Sequence, residues 1–177
     1  MFDPERFVED CRDAVRQDAS HRAVAEVMRR ALSDPGAVMD AFGAPEGPGL
    51  EPLYRNSDLT ILRLAWKPTM MIPPHDHAMW AVIGIYGGRE DNIFWRRLEG
   101  EAEGRIEAAG ARALSTGDVC PMGPDIIHSV ANPIPRLTAA LHVYGGDFFE
   151  AERHEWEPEA LTERPLDMAA VRARFSD

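Results

Sequence analysis

Residues 117–132 read GDVCPMGPDIIHSVAN. A Gly-Asp turn opens the stretch, Pro and Gly interrupt it, and a short apolar run then carries His128 toward Asn132. Short apolar runs bounded by such turn residues are strand signals. Upstream, residues 75–77 read His-Asp-His. In a strand, side chains two apart share a face, so His75 and His77 project together and Asp76 turns away. That is the geometry two ligands of one ion need.

Further strands flank these segments. Leu59–Trp66 reads LTILRLAW, and Ala81–Tyr86 is an apolar run ending at Gly87-Gly88. Asn92–Arg97, Arg105–Ala113 and Ala139–Tyr144 continue the series, the last closing before Gly145-Gly146. Short strands with regular turn signals and no intervening helices predict a sandwich or barrel.

The start of the chain reads differently. Asp3-Pro4 sets an N-cap with Pro at the first helical position, and Phe7, Cys11, Ala14 and Val15 recur at helical spacing. Ser20 caps a second helix through Val24, Val27, Met28, Ala31 and Leu32; Ser33 or Asp34 with Pro35 opens a third, closed by Gly43. Residues 44–52, APEGPGLEP, are expected as a connector. The charged tail from about 150 ends in a helix, Met168–Phe175, capped by Asp167. The expectation is one domain over 1–177: a helical extension over 1–45, a barrel over 53–150 and a tail over 151–177.

Composition excludes several classes. The apolar fraction of 45% and charged fraction of 28% fit an ordinary globular chain. No apolar run approaches a membrane span, and the acidic start MFDPERFVED lacks a secretory pattern, so a cytoplasmic location is expected. The formal charge of −11 argues against nucleic acid as a partner. Cys11 and Cys120 are too few and too far apart for a disulfide framework or a thiolate zinc site, and free, partly buried thiols are expected.

The Gly-Asp…Pro-Gly…His128…Asn132 stretch resembles the second motif of the cupin family, and Pro74-His75-Asp76-His77 resembles the start of the first. The resemblance implies an all-β double-stranded β-helix, a jelly-roll barrel, with both motifs at its mouth. Cupins commonly add a glutamate ligand a few residues after the second His. Here Ala78, Met79, Trp80, Ala81 and Val82 follow, and the next carboxylate, Glu90, lies beyond the glycine turn. The implied ligand set is therefore three neutral imidazoles, His75, His77 and His128. That leaves a divalent ion more positive than a two-His-one-carboxylate site would.

Within cupins, residues 53–146 resemble the thiol dioxygenases, the cysteine dioxygenase group. The matches run in order: Tyr54-Arg55-Asn56, Trp66 nine residues before the first metal histidine, His75-Asp76-His77, the segment of His128, and Leu141-His142-Val143-Tyr144. The resemblance implies one mononuclear Fe(II), a small thiol substrate such as cysteine or 3-mercaptopropionate, and O2. It implies that Arg55 clamps the substrate carboxylate. It implies that Tyr144 donates a hydrogen bond near substrate and oxygen, with His142 orienting it. Ile83, Trp66 and Met70 are candidates for keeping the pocket dry. The family's serine two residues before that His is Ala140 here, and its cross-linking cysteine position is Val82. A monomer or homodimer is expected. The same three histidines would also serve a carbon–carbon-cleaving dioxygenase of diketone type, or a non-catalytic module that binds a metal or small ligand.

Overall fold

A computed structural model describes residues 1–100 and 104–176. Three helices come first: α1 (Pro4–Gln17), α2 (His21–Ala31) and α3 (Pro35–Phe42). Each begins at the expected cap, where a side-chain oxygen satisfies amides that have no helical partner. Asp3 accepts from the amides of Glu5 and Arg6, Ser20 from Arg22, and Asp34 from Ala37. Gly43, at φ 74°, ends α3 in a conformation that disfavours a side chain.

Eleven strands follow among the described residues. They are β1 (Gly49–Arg55), β2 (Thr60–Trp66), β3 (Met71–Asp76), β4 (Ala81–Gly87), β5 (Arg89–Arg97), β6 (Ile106–Ser115), β7 (Val119–Met122), β8 (Ile127–Ala131), β9 (Thr138–Tyr144), β10 (His154–Trp156) and β11 (Glu163–Pro165). A last helix, α4 (Met168–Arg174), is capped by Asp167. One sheet runs β1-β2-β9-β4-β7 and the other β11-β10-β3-β8-β5-β6. All pairs are antiparallel. With the eight strands β2 to β9 counted in turn, the sheets contain first-eighth-third-sixth and second-seventh-fourth-fifth. That is jelly-roll connectivity.

Two apolar clusters share the five-stranded sheet. Inside the barrel lie Leu62, Leu64, Ile83, Ile85, Leu114 and Val130. On the outer face, Phe7, Cys11, Val24 and Met28 of the helices pack on Ile61, Val82, Leu141 and Val143. Strands β2, β4 and β9 are thus buried on both faces, which is why they read as continuous apolar runs rather than as alternation. Gly84 permits the helical layer to seat: a Cβ there would lie 2.6 Å from Met28 Sδ and 2.7 Å from Leu32 Cδ1.

Two boundaries differ from expectation. The stretch 44–52 is not all connector, because β1 starts at Gly49. Pro52 is tolerated because β1 is an edge strand, where a missing N–H costs no ladder bond. The tail holds more than a helix. β10 pairs with β11 and extends the second sheet beside β3, burying Trp156 with Ile106 and Ile127. No helix among the described residues is long and apolar enough to cross a membrane.

Candidate metal centre

His75 sits near the end of β3, His77 just beyond it, and His128 in β8, directly across the ladder from His75. The three converge as the His-x-His spacing requires. Their ring centroids lie 4.7 to 5.1 Å apart, and one nitrogen from each falls within 4.8 Å of the others. Asp76 turns outward, as expected, and accepts a hydrogen bond from the His154 amide at 2.9 Å.

The hydrogen bonds orient the rings. His75 Nδ1 donates to the Pro73 carbonyl at 2.9 Å, and His128 Nδ1 lies 2.7 Å from Asn92 Oδ1. Both rings therefore turn Nε2 inward, and an outer-shell partner of this kind holds a metal-binding tautomer. His128 Nε2 approaches His77 Nε2 to 3.2 Å. Two nitrogens each about 2.1 Å from one ion, at angles of about 90–110°, would stand roughly 3.0–3.4 Å apart. Burial, followed by Arg153 and neighbouring charges that oppose a further proton, holds His75 down to about 4. Burial and the neighbouring histidines push His77 and His128 well below their ordinary range. At neutral pH the cluster is three uncharged imidazoles with converging lone pairs, and a divalent cation fits it. Among the described residues no carboxylate joins the cluster.

Tyr144 and His142 point into the barrel from β9, on the face opposite Leu141 and Val143. The Tyr144 ring meets His77 edge-on at 5.1 Å and stacks on Phe148 at 4.4 Å. Its hydroxyl lies 3.0 Å from His142 Nδ1. Burial pushes the phenol far up, so the hydroxyl stays protonated. Val82 packs against the helical layer, whereas Ala81 is the residue paired with Tyr144. Position 82 thus faces away from Tyr144.

Arg55 does not reach this site. It ends an edge strand on the surface, its fork donates to Asp147 at 2.9 to 3.1 Å and to Glu150 at 3.0 Å, and it lies over Phe149. Two acidic side chains already occupy the donors expected to hold a substrate.

The arginine at the cavity is Arg153, from the tail. It is 4% exposed, and its guanidinium lies 4.2 Å over the Phe148 ring. One Nη2 donates to the Phe148 carbonyl at 2.7 Å, while Nε has no partner. Among the described residues it has no carboxylate partner, and burial lowers its pKa. The other unpartnered buried side-chain donor among the described residues is Trp66 Nε1. Both side chains line a cavity of about 40 Å3 with the three histidines, His142 and Tyr144. That is room for about three water-sized groups. The tail side chains Leu166, Val171 and Phe175 complete the wall. Of the residues expected to keep the pocket dry, Trp66 lines the cavity, while Ile83 and Met70 belong to the core around it. Arg153 escaped the sequence reading because a charged residue in AERHEWEPE reads as surface.

No sequence-family profile matches the chain. Among solved structures, a Bacillus halodurans protein superposes with a TM-score of 0.50 at 12% identity, covering 62% of this chain and 77% of its own. A protein from Methanocaldococcus jannaschii, described as RmlC-like cupin with a double-stranded β-helix fold, gives 0.48 at 10% identity over 60% and 86%. A cupin superfamily protein of Desulfitobacterium hafniense gives 0.46 at 12% identity over 59% and 83%. Identities this low concern fold alone, and the strand order above decides it.

The fold is a cupin double-stranded β-helix. In this cupin fold the three histidines occupy one end of the barrel interior, walled by both sheets and by the tail. It combines three converging neutral imidazoles, a buried phenol and an unpaired buried cation in one small apolar cavity. That set can hold a divalent ion and an anionic ligand beside it.

Proposed function

We propose that this chain is an Fe(II)-dependent dioxygenase that converts a small carboxylated thiol to its sulfinic acid. The observation that carries the reading is the unpaired Arg153 beside a three-imidazole cluster and Tyr144, all buried in one cavity. Thiolate plus dioxygen gives sulfinate with no further reactant. Iron held by His75, His77 and His128 would supply the redox chemistry that joins oxygen to sulfur. Imidazole alone suits several metals. The choice of iron rests on the resemblance of residues 53–146 to thiol dioxygenases.

The chain's own residues do the rest. Three neutral ligands leave the ion's double charge uncompensated, and Arg153 adds another. A substrate with both thiolate and carboxylate offsets most of that charge. Arg153 takes the role first expected of Arg55: its free Nε–H and remaining N–H groups bind the carboxylate. Trp66 Nε1 offers a further donor. Tyr144, its ring edge-on to His77, hydrogen-bonds the bound substrate through its hydroxyl. The apolar wall, including Leu62, Ile72 and Val130, excludes water and strengthens each of these interactions.

The test is oxygen uptake by protein loaded anaerobically with Fe(II). The panel is cysteine, 3-mercaptopropionate, cysteamine and acetylacetone. Uptake with a carboxylated thiol, yielding sulfinate, is the expected result. Uptake with the diketone alone would keep the metal site and overturn the thiol reaction. No uptake by protein shown to hold iron would overturn the enzymatic reading in favour of binding without turnover.

A further inference from the structure

Strand β5 sends Glu90 and Asn92 into the barrel on one face, at 0% and 1% exposure. A carboxylate so buried must be hydrogen-bonded. Glu90 Oε1 accepts from Asn92 Nδ2 at 3.0 Å, and Oε2 lies 3.3 Å from His142 Nε2. Asn92 Oδ1 lies 2.7 Å from His128 Nδ1. On the other side, His142 Nδ1 lies 3.0 Å from the Tyr144 hydroxyl. A continuous chain of contacts thus runs His128–Asn92–Glu90–His142–Tyr144, and Tyr144 returns to the cluster against His77.

We infer that Glu90 is the positioning residue of this site, one buried carboxylate that sets both the ring nitrogen His128 turns inward and the direction of the Tyr144 hydrogen bond. The reason is polarity. A carboxylate only accepts, so both neighbours must donate to it. Asn92 therefore turns its amide nitrogen to Glu90 and its oxygen to His128. His128 must donate from Nδ1, which frees Nε2 for an ion. On the opposite side, His142 must donate from Nε2, which leaves Nδ1 an acceptor. The Tyr144 proton then points at His142, and the phenol oxygen presents lone pairs to the cavity.

Two consequences follow. Tyr144 accepts a hydrogen bond from the substrate rather than donating one, which suits a ligand carrying an ammonium donor. Ala140, two residues before His142 on the same strand face, offers that ring no partner. Strand β5 supplies one from the facing sheet instead. The effect on turnover rests on the proposed function; the hydrogen-bond directions do not.

The experiment reads ring protons directly. Metal-free protein labelled with 15N at its six histidines is examined by long-range 1H–15N correlation at pH 7.5, without substrate. His128 is expected as the Nδ1–H form and His142 as the Nε2–H form. Either ring in the opposite form, or a doubly protonated His142, overturns the inference without any variant. Glu90→Gln sharpens the test, because an amide has one accepting end and one donating end. It can satisfy Asn92 or His142 but not both, so one of the two rings must invert. Inversion at His142 should lower kcat about 10- to 100-fold with metal affinity unchanged. Inversion at His128 should weaken metal binding about 10- to 100-fold. A folded Glu90→Gln protein with both rings unchanged would overturn the inference. Failure of the thiol reaction leaves the ring forms readable, so the two proposals fall separately.

Discussion

Arg55 and Arg153 carry the same guanidinium in opposite surroundings. Arg55 is half in water and bound by Asp147 and Glu150; Arg153 is buried with an unused Nε. Arg153→Gln should raise KM about 10- to 100-fold for carboxylated thiols and little for cysteamine, since a charge-assisted hydrogen bond contributes roughly 1.5–3 kcal/mol. Arg55→Ala should leave both KM values within about twofold. Steady-state kinetics on the two variants checks this. His75 gives a pH prediction. Its folded-state pKa falls from 6.5 to about 4 through burial, so the unfolded chain binds the proton more readily. The stability due to its neutral form is full above pH 6.5 and is lost as pH falls through 4. The unfolding free energy of the metal-free protein, from chemical denaturation, should drop across that window by about 3 kcal/mol for this residue. The convergence of the three histidines was legible, because strand alternation fixes where positions 75 and 77 point and the resemblance of residues 117–132 to the second cupin motif brought in His128. Arg153, Glu90 and Asn92 were not, because sequence spacing says nothing of which charged side chains a barrel encloses.

At the scale of elements, legibility followed length and capping. The four helices begin where Asp3, Ser20, Asp34 and Asp167 place them, because a cap is a local hydrogen bond. Strands β10 and β11, three residues each, are too short for periodicity to register; β10 depends on β3 for its partner and β11 on β10. No side chain of helix α4 is fully buried, and Met168 and Val171 pack only partly against the core. Phe175, at its C-cap, is the most deeply docked side chain, 5.1 Å from the Trp66 ring and 7% exposed. Phe175→Ala should release α4 from the cavity wall while the barrel stays folded. Hydrogen exchange should show lost protection confined to the tail amides. Loss of protection throughout β2 to β9 would show instead that the tail and barrel unfold as one unit. The helical layer depends likewise on Gly84. Gly84→Ala places a Cβ against Met28 and Leu32, and should cost about 1–3 kcal/mol in chemical denaturation.

For the whole molecule, the jelly-roll order brings segments distant in sequence to one rung. His77 and His128 are 51 residues apart, yet their Nε2 atoms nearly touch, while His75 opposes His128 across the β3–β8 ladder. An ion held there closes a loop of the chain much as a covalent clasp would. Occupancy of the site and endurance on heating then become one quantity, because the unfolded chain has no preformed site. The melting temperature should climb with free metal concentration, by about 2.7 kcal/mol of added stability at a hundredfold excess over Kd. Substitution of His128 by Ala should flatten that climb. An ion there would thereby also pin β3 and β8, neighbouring strands of one sheet, to each other near His75 and His128.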